Sequence, residues 1–197
     1  MMNRAPLLAV DMVQAGWSLA AGPVIGPVSF TVAAGEIVGL AGPNGAGKST
    51  LLGAVSGGAR VFSGRVALAD GARLALQTQQ LPDIDGVPIC GAELLRLTGA
   101  PIAGLPPWLG HRLSLRMDEL SGGQRQFLYL WACLAAPGEV VLLDEPTNNL
   151  DPAGVDFLAT ALRQRAAAGA AIVLVSHDAE FLAGICQRTV NVVKVGP

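Results

Sequence analysis

EIVGLAGPNGAGKSTLLGAV, residues 36–55, is the stretch that decides the fold. Glu36–Leu40 is a short apolar run of strand length, and Ser49–Val55 has helical character. Between them Gly42–Thr50 matches G-x-x-x-x-G-K-[ST] without a gap. A strand, a glycine-rich loop and a helix in that order form a phosphate cradle. Gly42, Gly45 and Gly47 let the backbone curl so that its N–H groups point inward, with Pro43, Asn44 and Ala46 spacing them. The helix start adds its positive dipole end. Lys48 is expected to reach the β- and γ-phosphates, Ser49 to offer its hydroxyl to Mg²⁺, and Thr50 to complete the loop. A chance glycine-rich turn would not carry the whole pattern in that setting.

A second segment supplies the acid that such a loop needs. Val140–Asp144 is an apolar strand ending in a carboxylate. Asp144 is expected to hold Mg²⁺ through its water shell, because this ion dehydrates reluctantly. Glu145 follows as the candidate general base, a role that typically contributes ~10²–10⁴ in rate.

Around these segments, apolar strands alternate with helices, which predicts a mostly parallel sheet covered on both faces. Leu7–Val13 and Val28–Val32 read as an N-terminal antiparallel β portion joined by the Gly/Pro-rich turn Ala21–Pro27. Val66–Leu68 and Arg73–Leu76 read as strands, Gly91–Leu97 and Gly122–Ala135 as helices. Pro152–Ala168 is a helix with proline in its first turn, and Ala170–Val175 and Arg188–Val195 are the last strands. Between Gln77 and Glu119 the texture turns to Pro, Gly and Leu. The reading is one α/β domain over 1–197, with residues 1–78 and 123–197 as core and 79–122 as a small, weakly packed helical insertion.

Composition narrows the class. Hydrophobic residues make up 51% and charged ones 14%, against a usual charged share of about 25%. Such a balance points to heavy burial or to a surface awaiting a partner. No stretch reads as a membrane span: the uncharged run Met12–Gly35 is broken by Gly16, Gly22, Pro23, Gly26 and Pro27. A net charge of −2 without a basic run gives no nucleic-acid footprint. No secretory signal pattern opens the chain, so a cytoplasmic location is expected. Cys90, Cys133 and Cys186 lack metal-ligand spacing and read as reduced core thiols, and His111 as a surface or helix-end residue.

The third segment, LSGGQRQ at Leu120–Gln126, lies between the phosphate loop and the acidic strand end. On its own S-G-G-Q is a common helix cap. With the other two segments it resembles the signature of ABC transporter ATP-binding subunits, and the resemblance spans nearly the whole chain. It implies that Ser121, Gly122, Gly123 and Gln124 lie at a helix start, with Ser121 and Gly123 contacting the γ-phosphate of ATP held by a second ATPase subunit, in a homodimer or with a related partner. It also assigns Gln79, with Gln77 and Gln80 as rivals, to the loop glutamine that senses Mg²⁺ and the attacking water. Asn148–Asp151 matches the loop crossing to the partner subunit, with Asp151 its acidic member. His177, in IVLVSHD, matches the switch histidine at the γ-phosphate, and Trp17 stands where an aromatic stacks on adenine. Two arginines usual after the signature are replaced by Phe127 and Ala132.

By the same resemblance the cofactors are ATP and Mg²⁺. The partners are transmembrane permease subunits, with a substrate-binding protein if the transporter is an importer, and the protein sits peripherally on the inner face of the membrane. Gln79 and the segment Pro82–Pro88 are the expected docking site. The run LALQTQQLPDIDGVPICGAELLRL most resembles importers of metal ions or metal chelates such as zinc. A haem-exporter subunit is the alternative cargo reading. An iron–sulfur assembly ATPase or a translation factor, suggested by DEPTNNLD, is the alternative class. Translation factors of this type carry two such domains and a long linker. Chromosome-maintenance ATPases need a coiled coil, and no heptad run is present.

Overall fold

The computed structural model describes residues 5–80 and 87–195. Residues 82–86 of the expected docking segment therefore lie outside the described residues. Strands β1 (Pro6–Gly16), β2 (Ile25–Ala33) and β4 (Arg60–Leu68) form an antiparallel sheet in the order β2-β1-β4. Strands β3 (Ile37–Ala41), β5 (Leu74–Gln77), β6 (Val140–Asp144), β7 (Ala171–Val175) and β8 (Arg188–Asn191) form a second sheet, ordered β5-β6-β7-β3-β8. Every pairing in it is parallel.

The central strands β6, β7 and β3 of the second sheet are buried on both faces, and side-chain alternation divides them between two cores. Val38, Leu40, Val140, Leu142, Val173 and Val175 pack with the antiparallel sheet and with α1 (Lys48–Ser56). Ile37, Val141, Leu143, Ile172 and Leu174 face the opposite way, toward helices α4 (Gly122–Leu134), α5 (Pro152–Ala167) and α6 (Ala179–Ile185). This three-layer arrangement accounts for the low share of charged residues.

The insertion holds α2 (Gly91–Thr98), α3 (Pro107–Gly110) and a single 3₁₀ turn at Met117–Glu119. Its described residues form no separate core. Leu95, Leu109, Leu113 and Met117 share one apolar cluster with Phe127, Leu128, Leu130 and Trp131 of α4. The Trp131 indole N–H donates to the Pro101 carbonyl at 2.8 Å and ties the insertion to that helix.

Some boundaries differ from those expected. The strand expected at Val66–Leu68 runs from Arg60 and belongs to the antiparallel sheet, where long-range pairing with β1 extends it through polar residues. The last strand stops at Asn191 rather than Val195, with Lys194 making only an isolated bridge to Ile25. Helix α6 was not expected; Asp178 caps it by accepting from the Phe181 N–H at 2.9 Å. The three cysteines are free but only partly buried. His111 is exposed, as expected.

Candidate nucleotide site

Because all five core strands are parallel, their carboxyl ends share one edge, where α/β sheets build their sites. The strand order decides which ends meet. β7 lies between β3 and β6, so the residue after β7 stands between the phosphate loop and the acidic strand end. A cavity of about 450 Å³ opens there. Asn44, Gly45, Gly47, Lys48, Ser49 and Thr50 line one side, and Gln79, Asp144, Glu145 and His177 the other.

The loop geometry follows from its glycines. Gly47 has φ 95°, and a Cβ there would stand 2.0 Å from Ile25 Cγ2. Gly42 has φ 146°, and a Cβ would meet the Val192 carbonyl oxygen at 2.7 Å. Backbone conformation and close packing both demand glycine at these two positions. Helix α1 then starts at Lys48 with no acidic residue in its first turn, which leaves its free N–H groups to an anion. The Lys48 ammonium donates to the carbonyls of Gly42 at 2.8 Å and Pro43 at 3.2 Å, so the cation is held over the loop.

The acidic wall is strained and desolvated. Glu145 has φ 52°, and its N–H donates to the Val175 carbonyl at 2.9 Å. A non-glycine residue in the left-handed region costs of order 1–3 kcal/mol; here it turns the chain sharply after β6 and aims the carboxylate at the cavity. Glu145 Oε1 lies 2.7 Å from His177 Nδ1, and the His177 N–H donates to Oε2 at 3.3 Å. Burial pushes the Glu145 carboxyl above its ordinary value, against the pull of His177, which favours a proton acceptor there. Burial also raises Asp144, opposed by the Ser49 hydroxyl bonded to it and by Lys48.

Among the described residues no cluster of three or more His, Cys, Asp or Glu forms a self-sufficient metal cage. Asp144 Oδ1, however, is buried without a partner. One unsatisfied carboxylate oxygen beside one serine hydroxyl fits Mg²⁺, which binds through one or two carboxylates together with substrate phosphates and water.

The three glutamines separate cleanly. Gln79 lines the cavity, whereas Gln77 is buried in β5 with its amide donating to the Thr78 carbonyl, and Gln80 lies outside the lining. Trp17 is 60% exposed at the rim, its indole bonded to Thr50. Val24 also lines the cavity and was not foreseen; nothing in its sequence setting marks it.

The signature forms a different place. Ser121 caps α4 by accepting from the Gln124 N–H at 3.3 Å, and the Gln124 side chain accepts from the Ser121 N–H at 3.1 Å. Ser121, Gly123 and Gln124 line a second cavity of about 350 Å³ with Trp108, Phe127, Asn149 and Asp151. The Asp151 carboxylate accepts from the Gly154 N–H at 2.7 Å and caps α5. Gly122 opens α4. Among the described residues none lines both cavities. Phe127 is buried, edge-on to Trp108 and Phe157, and Ala132 is buried too, so both positions are spent on the apolar face of α4.

A family model described as ABC transporter matches residues 25–85, and one for an AAA domain of an AbiEii-type toxin in type IV toxin–antitoxin systems matches 108–183. The zinc import ATP-binding protein of Marinobacter nauticus is 33% identical over 174 residues, covering 85% of this chain and 68% of that protein. The chain belongs to the ABC transporter ATP-binding family. The Nod factor export ATP-binding protein I of Rhizobium meliloti is 31% identical, covering 93% of this chain and 61% of that relative. A solved ATP-binding subunit of an ABC transporter superposes with a TM-score of 0.80 at 28% identity, covering 95% of this chain and 86% of that one. The protein is accordingly an ATPase with the fold of these subunits. Among the described residues no helix is long and apolar enough to cross a membrane.

Proposed function

We propose that this subunit energises transport by ATP-driven closure of a dimer, and that its cargo is a metal ion or metal chelate. The observation that carries the dimer is the separation of the two cavities: the phosphate loop and its acidic wall line one, the signature the other. A second copy facing the first would bring Ser121, Gly122, Gly123 and Gln124 to the γ-phosphate held over Lys48, with Asp151 at the crossing loop. The start of α4 suits an anion for the same reasons as the start of α1. Metal-ion import is supported by the likeness to the zinc import ATP-binding protein.

In this reading Lys48 and the loop N–H groups neutralise the phosphates. Ser49, Asp144 and Gln79 hold Mg²⁺, which supplies charge neutralisation when bound. Glu145 takes the proton of the attacking water, and His177 holds Glu145 and faces the γ-phosphate. Trp17 offers its ring to adenine. Catalysis is then positioning and charge stabilisation, with little covalent work by the protein. Gln79 and the stretch after it report nucleotide state to permease subunits, and the protein works peripherally on the inner face of the membrane, with a substrate-binding protein outside it.

Glu145→Gln tests this reading. It keeps the side chain's shape and removes its basicity, so ATP should be held unhydrolysed and a dimer should accumulate by mass action. Adding Ser121→Arg places a bulky cation at the helix start and should abolish that dimer while leaving ATP binding intact. Light scattering at saturating ATP and Mg²⁺ measures both variants. A double variant that dimerises as well as Glu145→Gln alone would refute completion of the site in trans. Co-purification of the neighbouring membrane subunit then tests the cargo.

A further inference from the structure

Trp17 does more than present a ring. Its indole N–H donates to the Thr50 hydroxyl oxygen at 3.0 Å, and Thr50 is buried and lines the phosphate cavity, which Trp17 itself does not. The same indole edge continues along α1 to Gly53, one turn further on the same face. A Cβ at Gly53 would stand 2.6 Å from Trp17 Cη2 and 3.1 Å from Cζ2. The ring is thus seated edge-on in a notch that a glycine leaves, with its donor fixed on Thr50 and much of its surface open to solvent.

The direction of that hydrogen bond has a chemical consequence. A hydroxyl that accepts from an indole N–H keeps its own proton to donate. Thr50 Oγ1 has no other hydrogen-bond partner among the described residues. Acceptance at the oxygen polarises the O–H and strengthens its donation, since hydrogen bonds in a chain reinforce one another. The proton is available to an anionic oxygen in the cavity that Thr50 lines.

We propose that Trp17 is a positioning residue for the phosphate chain, acting through Thr50, in addition to any contact with the base. Gly53 is the second half of the device, because it admits an indole at this place. The proposal deepens the nucleotide reading above and rests on it. Phenylalanine at position 17 would keep an aromatic face and lose the relay.

The experiment uses Mg²⁺-tripolyphosphate, a probe with no base, beside Mg²⁺-ATP, with affinities measured calorimetrically on the whole chain. Loss of one net hydrogen bond corresponds to about a two- to tenfold fall in affinity. Trp17→Phe and Thr50→Val should each weaken tripolyphosphate by that factor, and the double variant should lose no more than either single one. Thr50→Ser, which keeps the acceptor, should restore binding. Gly53→Ala replaces glycine with a better helix former and should reproduce the Trp17→Phe defect by lifting the indole off its seat. Unchanged tripolyphosphate affinity in Trp17→Phe, with ATP alone weakened, would reduce Trp17 to a base platform and overturn the relay. Additive losses in the double variant would also overturn it. Failure of the unsubstituted protein to bind either probe would instead strike the nucleotide assignment itself.

Discussion

Replacing Phe127 tests whether the departure from the family's arginine is built into the core or merely tolerated. Its ring is 2% exposed. It lies edge-on to Trp108 at 5.3 Å and to Phe157 at 5.5 Å between ring centroids. Truncating a buried phenylalanine typically costs about 3–5 kcal/mol. Two edge-to-face partners, each worth ~0.5–1.5 kcal/mol beyond area, put Phe127→Ala toward the upper end of that range. A domain's whole stability is about 5–15 kcal/mol, so a third or more of it is at stake. In urea, with a slope near ~2 kcal/mol/M, the midpoint should fall by about 2–2.5 M with the slope unchanged. Phe127→Arg should be at least as damaging, because a guanidinium in this cluster is either buried without a partner or forced out of it. Trp108 and Phe127 also line the signature cavity, so the ATP-held dimer of Glu145→Gln should weaken when Phe127→Ala is added, under conditions where both variants remain folded. A urea midpoint shift below about 0.5 M for Phe127→Ala, or a Phe127→Arg protein as stable as the unsubstituted one, would refute the reasoning.

Two further outcomes are expected. Lys48→Ala removes charge-assisted hydrogen bonds to phosphate worth about 1.5–3 kcal/mol each, so titration with a fluorescent ATP analogue should show affinity falling about tenfold to a hundredfold for each such bond removed, with turnover abolished. Burial pushes the Cys133 thiol up to about 12 and the Cys186 thiol up to about 11. The native protein should therefore resist iodoacetamide at both positions near pH 8.5, where an unfolded thiol of pKa ~8.5 is half ionised. Because the fold keeps these protons more tightly than the unfolded chain, it gains nothing below pH ~8.5. It loses stability progressively as pH rises from there toward 11–12, measurable as a falling Tm.

How much of this was legible in sequence depends on how local each cause is. The phosphate loop was legible because its requirements are contiguous: a strand, glycines where φ must be positive, a lysine and a serine opening a helix. Asp144 and Glu145 were legible for the same reason, at the end of a wholly apolar strand. The α6 helix could have been found from Asp178 three residues before Phe181, followed by Leu182 and Ile185, but a seven-residue helix carries little periodic signal. Arg60–Arg65 could not be read as strand, since its polar residues are held there by β1, far away in the chain.

The site as an assembled object belongs to the tertiary structure. Sequence could place His177 at a strand end but not beside Glu145; that needed β7 to lie between β6 and β3, a matter of which strands pair. It offered three glutamines in one short run, with Gln79 preferred by family pattern alone; where β5 ends adds a spatial difference, since Gln77 still pairs in register with Leu143 inside the sheet while Gln79 has left it and lines the cavity. Phe127 looked like a lost arginine until Trp108 and Phe157 were found on either side of it. Trp17, Thr50 and Gly53 carried no joint signal, because a bond between residues 33 apart depends on how the antiparallel sheet folds back over α1. Local chemistry fixes which groups the chain can offer; long-range strand pairing and burial fix which of them meet.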